Sequence, residues 1–289
     1  MDTGSTPAGI LRLAAYLGFT FLCIPVQAAF LALGLRRAAT RFPVVYHRIC
    51  LRMLGIEVRV TGAAPAAAPV LFISNHSSYL DIPVLASVLP ASFVAKSEVG
   101  TWPLFGLLAK LQRTVFVDRQ SRTDAGRQRD SMAGRLQDGD SLILFPEGTS
   151  SDGNRTLPFK TALFSVAGTR IGERPVTVQP VSVVCTHLDG MPMGFGLRSL
   201  YAWYGDMELP PHLWRVVRTG RLGVSVEFHE PVTVESFGSR KALADHCWRA
   251  VASGVARAVA GRPPAPVNDA APPPAQPAPG PAAEPARAS

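Results

Sequence analysis

"PVLFISNHSSYLD", residues 69 to 81, decides how the rest of the chain is read. Its first half is a short, uninterrupted apolar run that stops at a polar turn, the pattern of a strand buried on both faces. The polar half then falls in the turn after that strand, with a helix expected to start around Ser78. In α/β sheets ligands bind in the crevice outside the carboxyl ends of the strands, so His76 stands where side chains meet substrates. An imidazole there can take a hydroxyl proton near neutral pH if a carboxylate fixes its tautomer. Asp81 can be that carboxylate only if His76 lies outside the helix, because residues five apart on one helix point about 140° apart. The alternative is an ordinary strand-to-helix turn with polar caps.

Working outward, the same pattern of short β-branched runs separated by longer helical stretches recurs. Strands are expected at 57–60, 69–74, 92–96, 114–118, 141–145, 176–184 and 222–228. Helices fit between them, which predicts a single α/β domain with a mixed, largely parallel sheet flanked by helices. Ser121 with Asp124 resembles a capping box. Leu243, Cys247, Val251, Val255 and Val259 form one apolar stripe at steps of four, closed by Gly261. A second strand, "SLILF" (141–145), also opens into a polar turn, "PEGTSSDG" (146–153). There Glu147, Gly148 and Thr149 offer a carboxylate, a permissive backbone and a hydroxyl. Such a turn can hold a polar head group on its backbone N–H groups, or serve turn geometry alone.

The chain has 289 residues, 47% of them hydrophobic and only 17% charged, which points toward a membrane. Residues 13–35 carry no charge over 23 positions, long enough to cross a hydrocarbon core. Pro25 and Gln27 interrupt that run, and a helix lying in one leaflet or packed in a core are the other readings. Arg36, Arg37 and Arg41 follow at once, which places the remainder on the cytoplasmic face of the inner membrane. Three segments are expected: an anchor helix within 1–40, a catalytic domain over 41–261, and a disordered Pro/Ala-rich tail over 262–289. The tail holds ten prolines and almost no large apolar residue, too little to offset its ordering entropy. The formal charge of +8 therefore sits on the body. No stripe of basic and aromatic residues marks a nucleic-acid surface, so no nucleic-acid partner is expected. The four cysteines are far apart and fit neither a zinc site nor a disulfide framework.

Taken together, "NHSSYLD" and "FPEGTSSDG" resemble the first and third motifs of the lysophospholipid acyltransferase family, which includes 1-acyl-sn-glycerol-3-phosphate acyltransferases and lyso-ornithine lipid acyltransferases. "VAKSEVGTWPLFGLLAKLQRTVFVDR" (94–119) is similar to the block between them, with Lys96, Pro103, Gly106 and Arg119 at the family's usual places. "VTVQPVSV" (176–183) is similar to the fourth motif, marked by Pro180. The resemblance spans roughly 57–230 and implies an enzyme. His76 would deprotonate an acceptor hydroxyl that attacks the thioester of acyl-CoA or acyl carrier protein. Asp81 would orient the histidine, and Lys96, Arg119, Glu147, Gly148 and Thr149 would hold the acceptor. No metal and no cofactor beyond the acyl thioester is implied. Membrane lipids and acyl carrier protein are the expected partners, and the apolar stretch 102–111 would lie at the bilayer.

One position departs from the pattern. The family's third motif commonly runs FPEGTR, its arginine assigned to the acceptor's phosphate, and Ser150 stands there instead. A serine hydroxyl cannot replace the charge-assisted, often bidentate contacts of a guanidinium. Arg155 is a possible substitute, or the acceptor carries no phosphate, as in a lyso-ornithine lipid. Two rivals remain: a lipid ester hydrolase, for which no G-x-S-x-G elbow is present, and a non-catalytic lipid-binding protein, which would need neither base nor orienter. The aromatics Tyr201, Trp203, Tyr204 and Trp214 suit a membrane interface or a core equally, and no site is assigned to them.

Overall fold

A computed structural model describes residues 4–117 and 125–265. Arg119, the cap at Ser121 and Asp124, and the tail beyond Ala265 lie outside the described residues.

The apolar run becomes α1 (Thr6–Ala32), which begins earlier than the charge pattern suggests because Ser5 caps it, accepting from the Ala8 N–H. It continues through Pro25 and stops at Ala32. Gly34, with φ of 67°, turns the chain, and α2 (Arg36–Leu54) runs across the boundary expected at residue 40. α2 is amphipathic: Tyr46, Cys50, Leu51 and Leu54 are buried while Arg36, Arg37, Arg41 and Arg52 face outward. α1 is tied to the body along its length. Arg12 donates to the carbonyls of Val217 and Thr219, Thr20 shares a 2.9 Å hydrogen bond with the Tyr46 hydroxyl, and Gln27 donates to the carbonyls of Ala39 and Leu111, both at 2.9 Å. Its other face leaves Leu11, Phe21 and Leu22 exposed.

The strands are β1 (Ile56–Gly62), β2 (Val70–Ser74), β3 (Ala91–Lys96), β4 (Val115–Val117), β5 (Ser141–Leu144), β6 (Thr177–Leu188) and β7 (Leu222–Phe228). They line up in the order β1-β7-β6-β2-β5-β3-β4, with the short Met191–Pro192 strand on β6. Neighbours are parallel except β7, which runs antiparallel to β6 and carries β1 parallel to itself. The sheet is thus mixed and largely parallel, as the strand pattern implies. Helices α3 (Asp81–Ala86), α4 (Phe105–Leu111), α5 (Ala125–Gln137), α6 (Leu209–Arg218) and α7 (Arg240–Val259) complete the fold.

β2 explains why an uninterrupted apolar run was needed. Val70 and Phe72 pack with α2, α3 and α6 on one face, while Leu71 and Ile73 pack with α5 and α7 on the other. A strand with helices on both faces has no solvent side on which to place polar residues. Along α7 the expected stripe buries Leu243, Cys247, Val251 and Val255. β2 has β5 on one side and β6 on the other, with Ile73 opposite both Leu144 and Pro180. Because β2 and β5 are parallel neighbours, the turns after them emerge side by side. Two motifs about seventy residues apart in sequence therefore meet.

Candidate active site

Past Ser74 the ladder is extended by a side chain. The Asn75 amide exchanges two hydrogen bonds with the Val183 backbone, each 2.8 Å, and so continues the β2–β6 pairing one step further. His76 leaves the strand there and stays outside α3, which starts only at Asp81 rather than near Ser78. The Asp81 side chain folds back over the turn. Its Oδ2 accepts from the Ser77 and Ser78 N–H groups at 2.7 and 2.9 Å and faces the His76 Nδ1 at 3.0 Å. Asp81 is fully buried, whereas the His76 side chain is 19% exposed. In the neutral imidazole, donating Nδ1–H to this carboxylate leaves the Nε2 lone pair to accept a proton. The imidazole lies flat on the Phe145 ring, centroids 4.2 Å apart, which fixes its plane.

The second turn supports the first. The Ser151 N–H donates to the His76 carbonyl at 2.9 Å. The Glu147 carboxylate accepts from the His76 N–H at 3.1 Å and from the Leu157 N–H at 3.2 Å. Sequence reasoning placed Glu147 among the acceptor-binding residues, yet it is only 2% exposed and both its oxygens face backbone. Burial pushes its carboxyl up to about 8, against the pull of those two N–H groups and with a push from Asp81. Gly148 adopts φ of 75°, a left-handed conformation that suits glycine. The Lys160 ammonium lies over it, 2.7 Å from where a Cβ would stand. Thr149 is exposed and Ser150 half-buried. Lys96 is exposed at the carboxyl end of β3, beyond β5 from the histidine.

Three contributors were not legible in sequence. Lys160 is brought to the turn by a loop, its own N–H donating to the Pro146 carbonyl. The Tyr201 hydroxyl donates to Asp81 Oδ1 at 2.8 Å. The Trp203 N–H donates to the Ser77 carbonyl at 2.8 Å. Trp203 also meets Tyr79 and Trp102 edge-on, at 5.9 and 6.3 Å between centroids. Tyr79 shares a 3.0 Å hydrogen bond with His212, whose burial pushes its imidazole down to about 4 and keeps it neutral. Tyr201 and Trp203 are thus packed against the histidine turn, with Trp102 partly exposed beside them.

Residues 55–184 match the sequence model of the family described as Acyltransferase. A lyso-ornithine lipid O-acyltransferase of Brucella abortus is 47% identical over 239 residues, 81% of this chain and 88% of that one. A 1-acyl-sn-glycerol-3-phosphate acyltransferase of Neisseria gonorrhoeae is 31% identical over 77% of this chain and 84% of its own. The crystal structure of the 1-acyl-sn-glycerophosphate (LPA) acyltransferase PlsC from Thermotoga maritima superposes with a TM-score of 0.57, covering 84% of this chain and 96% of that one at 23% identity. That last likeness is one of fold. The family model spans both turns, the two relatives cover more than three quarters of the chain, and on that ground the chain is an acyltransferase belonging to the lysophospholipid acyltransferase family.

Proposed function

We propose that the protein transfers a fatty acyl group from an acyl thioester, on acyl carrier protein or coenzyme A, to the free hydroxyl of a lyso-ornithine lipid. The observation that carries the chemistry is the His76–Asp81 pair, with Nδ1 held by a buried carboxylate and the ring edge reaching solvent. Nε2 accepts the proton of the acceptor hydroxyl as its oxygen attacks the thioester carbonyl. The tetrahedral intermediate then expels the thiolate, which takes the proton back from the imidazolium, leaving ester, free thiol and neutral histidine. Asp81 holds the tautomer and stabilises the imidazolium while it lasts. Replacing His76 with alanine is expected to lower turnover by about a hundredfold or more while the protein stays folded and membrane-bound. Near-normal turnover in that variant would falsify the assignment.

Ser150 supports the choice of acceptor. An ornithine head group presents a carboxylate and an amine and no phosphate, so the missing arginine is not missed. Lys160, over Gly148, and Lys96 are cations within the same region for the carboxylate. The name of the Brucella relative points the same way. The test offers labelled acyl carrier protein with lyso-ornithine lipid or lysophosphatidic acid to the wild type and to Ser150→Arg. The wild type is expected to prefer lyso-ornithine lipid, and the variant to gain on lysophosphatidic acid. A wild type acting on lysophosphatidic acid alone rules the acceptor out.

The bilayer is where such an acceptor is found. α1 with its outward Leu11, Phe21 and Leu22 is the anchor in this reading. Its ties at Arg12, Thr20 and Gln27 hold it along the body, which favours a seat in one leaflet over a perpendicular crossing. In this reading the domain lies on the cytoplasmic side of the inner membrane, with Arg36, Arg37 and Arg41 against its anionic surface and the basic body suited to an acidic carrier protein.

A further inference from the structure

We propose that Tyr201 is a positioning residue for acyl transfer, holding Asp81 from the side opposite His76 and setting how strongly that carboxylate supports the imidazolium. The inference rests on His76 acting as the base. A carboxylate offers about four lone-pair sites, and Asp81 is completely buried, so every site must be met by the protein. Oδ2 takes three N–H groups, from the His76 ring and the Ser77 and Ser78 backbone. Oδ1 has one close donor, the Tyr201 hydroxyl at 2.8 Å, with the Ser77 hydroxyl at a marginal 3.5 Å.

The tyrosine is itself fixed. It is 1% exposed, and its ring belongs to the core packed under α3 and β6. The short helix before it, Phe195–Leu200, is pinned by Arg198, which donates to the carbonyls of Cys185, Met193 and Val259 at 2.6, 2.9 and 3.3 Å. Two residues after it, the Trp203 N–H closes on the Ser77 carbonyl. One segment therefore grips the body at 198, the carboxylate at 201 and the histidine turn at 203. Burial and the adjacent Asp81 charge push the Tyr201 phenol far above its ordinary range, so it remains a donor throughout. A hydroxyl donating to Oδ1 draws negative charge away from Oδ2, the oxygen facing His76. Without it that charge concentrates toward the ring and the imidazolium becomes more stable. The other titratable groups around the pair are Glu147 from the turn after β5, Tyr79 from the histidine turn and Cys185 from β6. All three are retained in the variants below.

The test measures kcat, KM and the pH profile of kcat/KM for the full-length protein in mixed micelles. Tyr201→Phe is expected to lower kcat by about tenfold to a hundredfold, because a carboxylate freed on its Oδ1 side no longer holds the imidazole in line with the acceptor hydroxyl. KM should hold for both substrates, and the acid limb should move to higher pH, since the base now keeps its proton longer. Tyr201→3-fluorotyrosine, the same shape with a stronger donor, should move the limb the other way with kcat near normal. It carries the test alone if the phenylalanine variant fails to fold. A limb that stays in place, or moves the same way in both, overturns the proposal even if Tyr201→Phe loses activity, because that loss is all a packing role predicts. His76→Ala is assayed alongside. If it is active, the base assignment fails; if it is inactive and the limbs do not move, only the role of Tyr201 fails.

Discussion

Glu147 sets a carboxyl where almost no water reaches it, accepting two backbone N–H groups that join the turns after β2 and β5. Its pKa rises from 4.5 to about 8, with burial as the main cause. Between those values the folded protein keeps a proton that the unfolded chain has released, so the unfolded state binds fewer protons. This group's contribution to stability is therefore full below the unfolded value and is lost as pH rises through the folded one. Glu147→Gln has no proton to lose and should flatten the fall in Tm across that window. Its NH2 must also face one of the two N–H groups, a cost of about 1–3 kcal/mol at any pH. Thermal unfolding of both proteins from acid to mildly alkaline pH checks this, and an equally steep decline in the variant contradicts it. Sequence alone says only that a carboxylate follows a strand. Which way it points depends on the neighbouring strand, whereas His76 and Asp81 stand five residues apart within one turn.

At the scale of elements, the α1–α2 pair and its seat on α4 are held by a residue that looked out of place. Gln27 weakens an otherwise apolar run, yet it is 5% exposed and its NH2 bridges the carbonyls of Ala39 and Leu111. Gln27→Leu is more apolar but leaves those two carbonyls without that donor, at about 1–3 kcal/mol for each that stays buried. The expected result is faster hydrogen exchange at the start of α2 and the end of α4, with β2 and β5 unchanged. Uniform exchange across the protein would show the bridge to be incidental. Apolar periodicity predicted α1 but passed over α2, because Pro43 and the arginines interrupt its pattern and only Tyr46, Cys50, Leu51 and Leu54 against the body show its inner face.

At the scale of the molecule, one face of α1 is covered by protein and the other presents Ile10, Leu11, Phe21 and Leu22 outward. Each large apolar side chain transferred from water to lipid contributes about 1.5–3 kcal/mol. Phe21→Glu combined with Leu22→Glu should therefore shift the protein from liposomes to the soluble fraction in a flotation assay, while the packing around His76 is preserved. Unchanged flotation would move the membrane contact elsewhere, Trp102 and Leu107 of the apolar stretch 102–111 being exposed as well.

The sequence by itself determined the strands, since a run buried on both faces must be apolar throughout, and it determined the histidine and its aspartate, since five residues of turn suffice to bring them together. It also marked Ser150 as the departure from the family's usual third motif on which the proposed acceptor rests. Tertiary structure decided the rest. Parallel pairing of β2 with β5 turned Glu147 inward, loop geometry laid Lys160 over Gly148, and the segment after β6 brought Tyr201 to Asp81 across 120 positions. No local pattern encodes a contact of that separation; it exists only once the sheet has fixed which turns are neighbours.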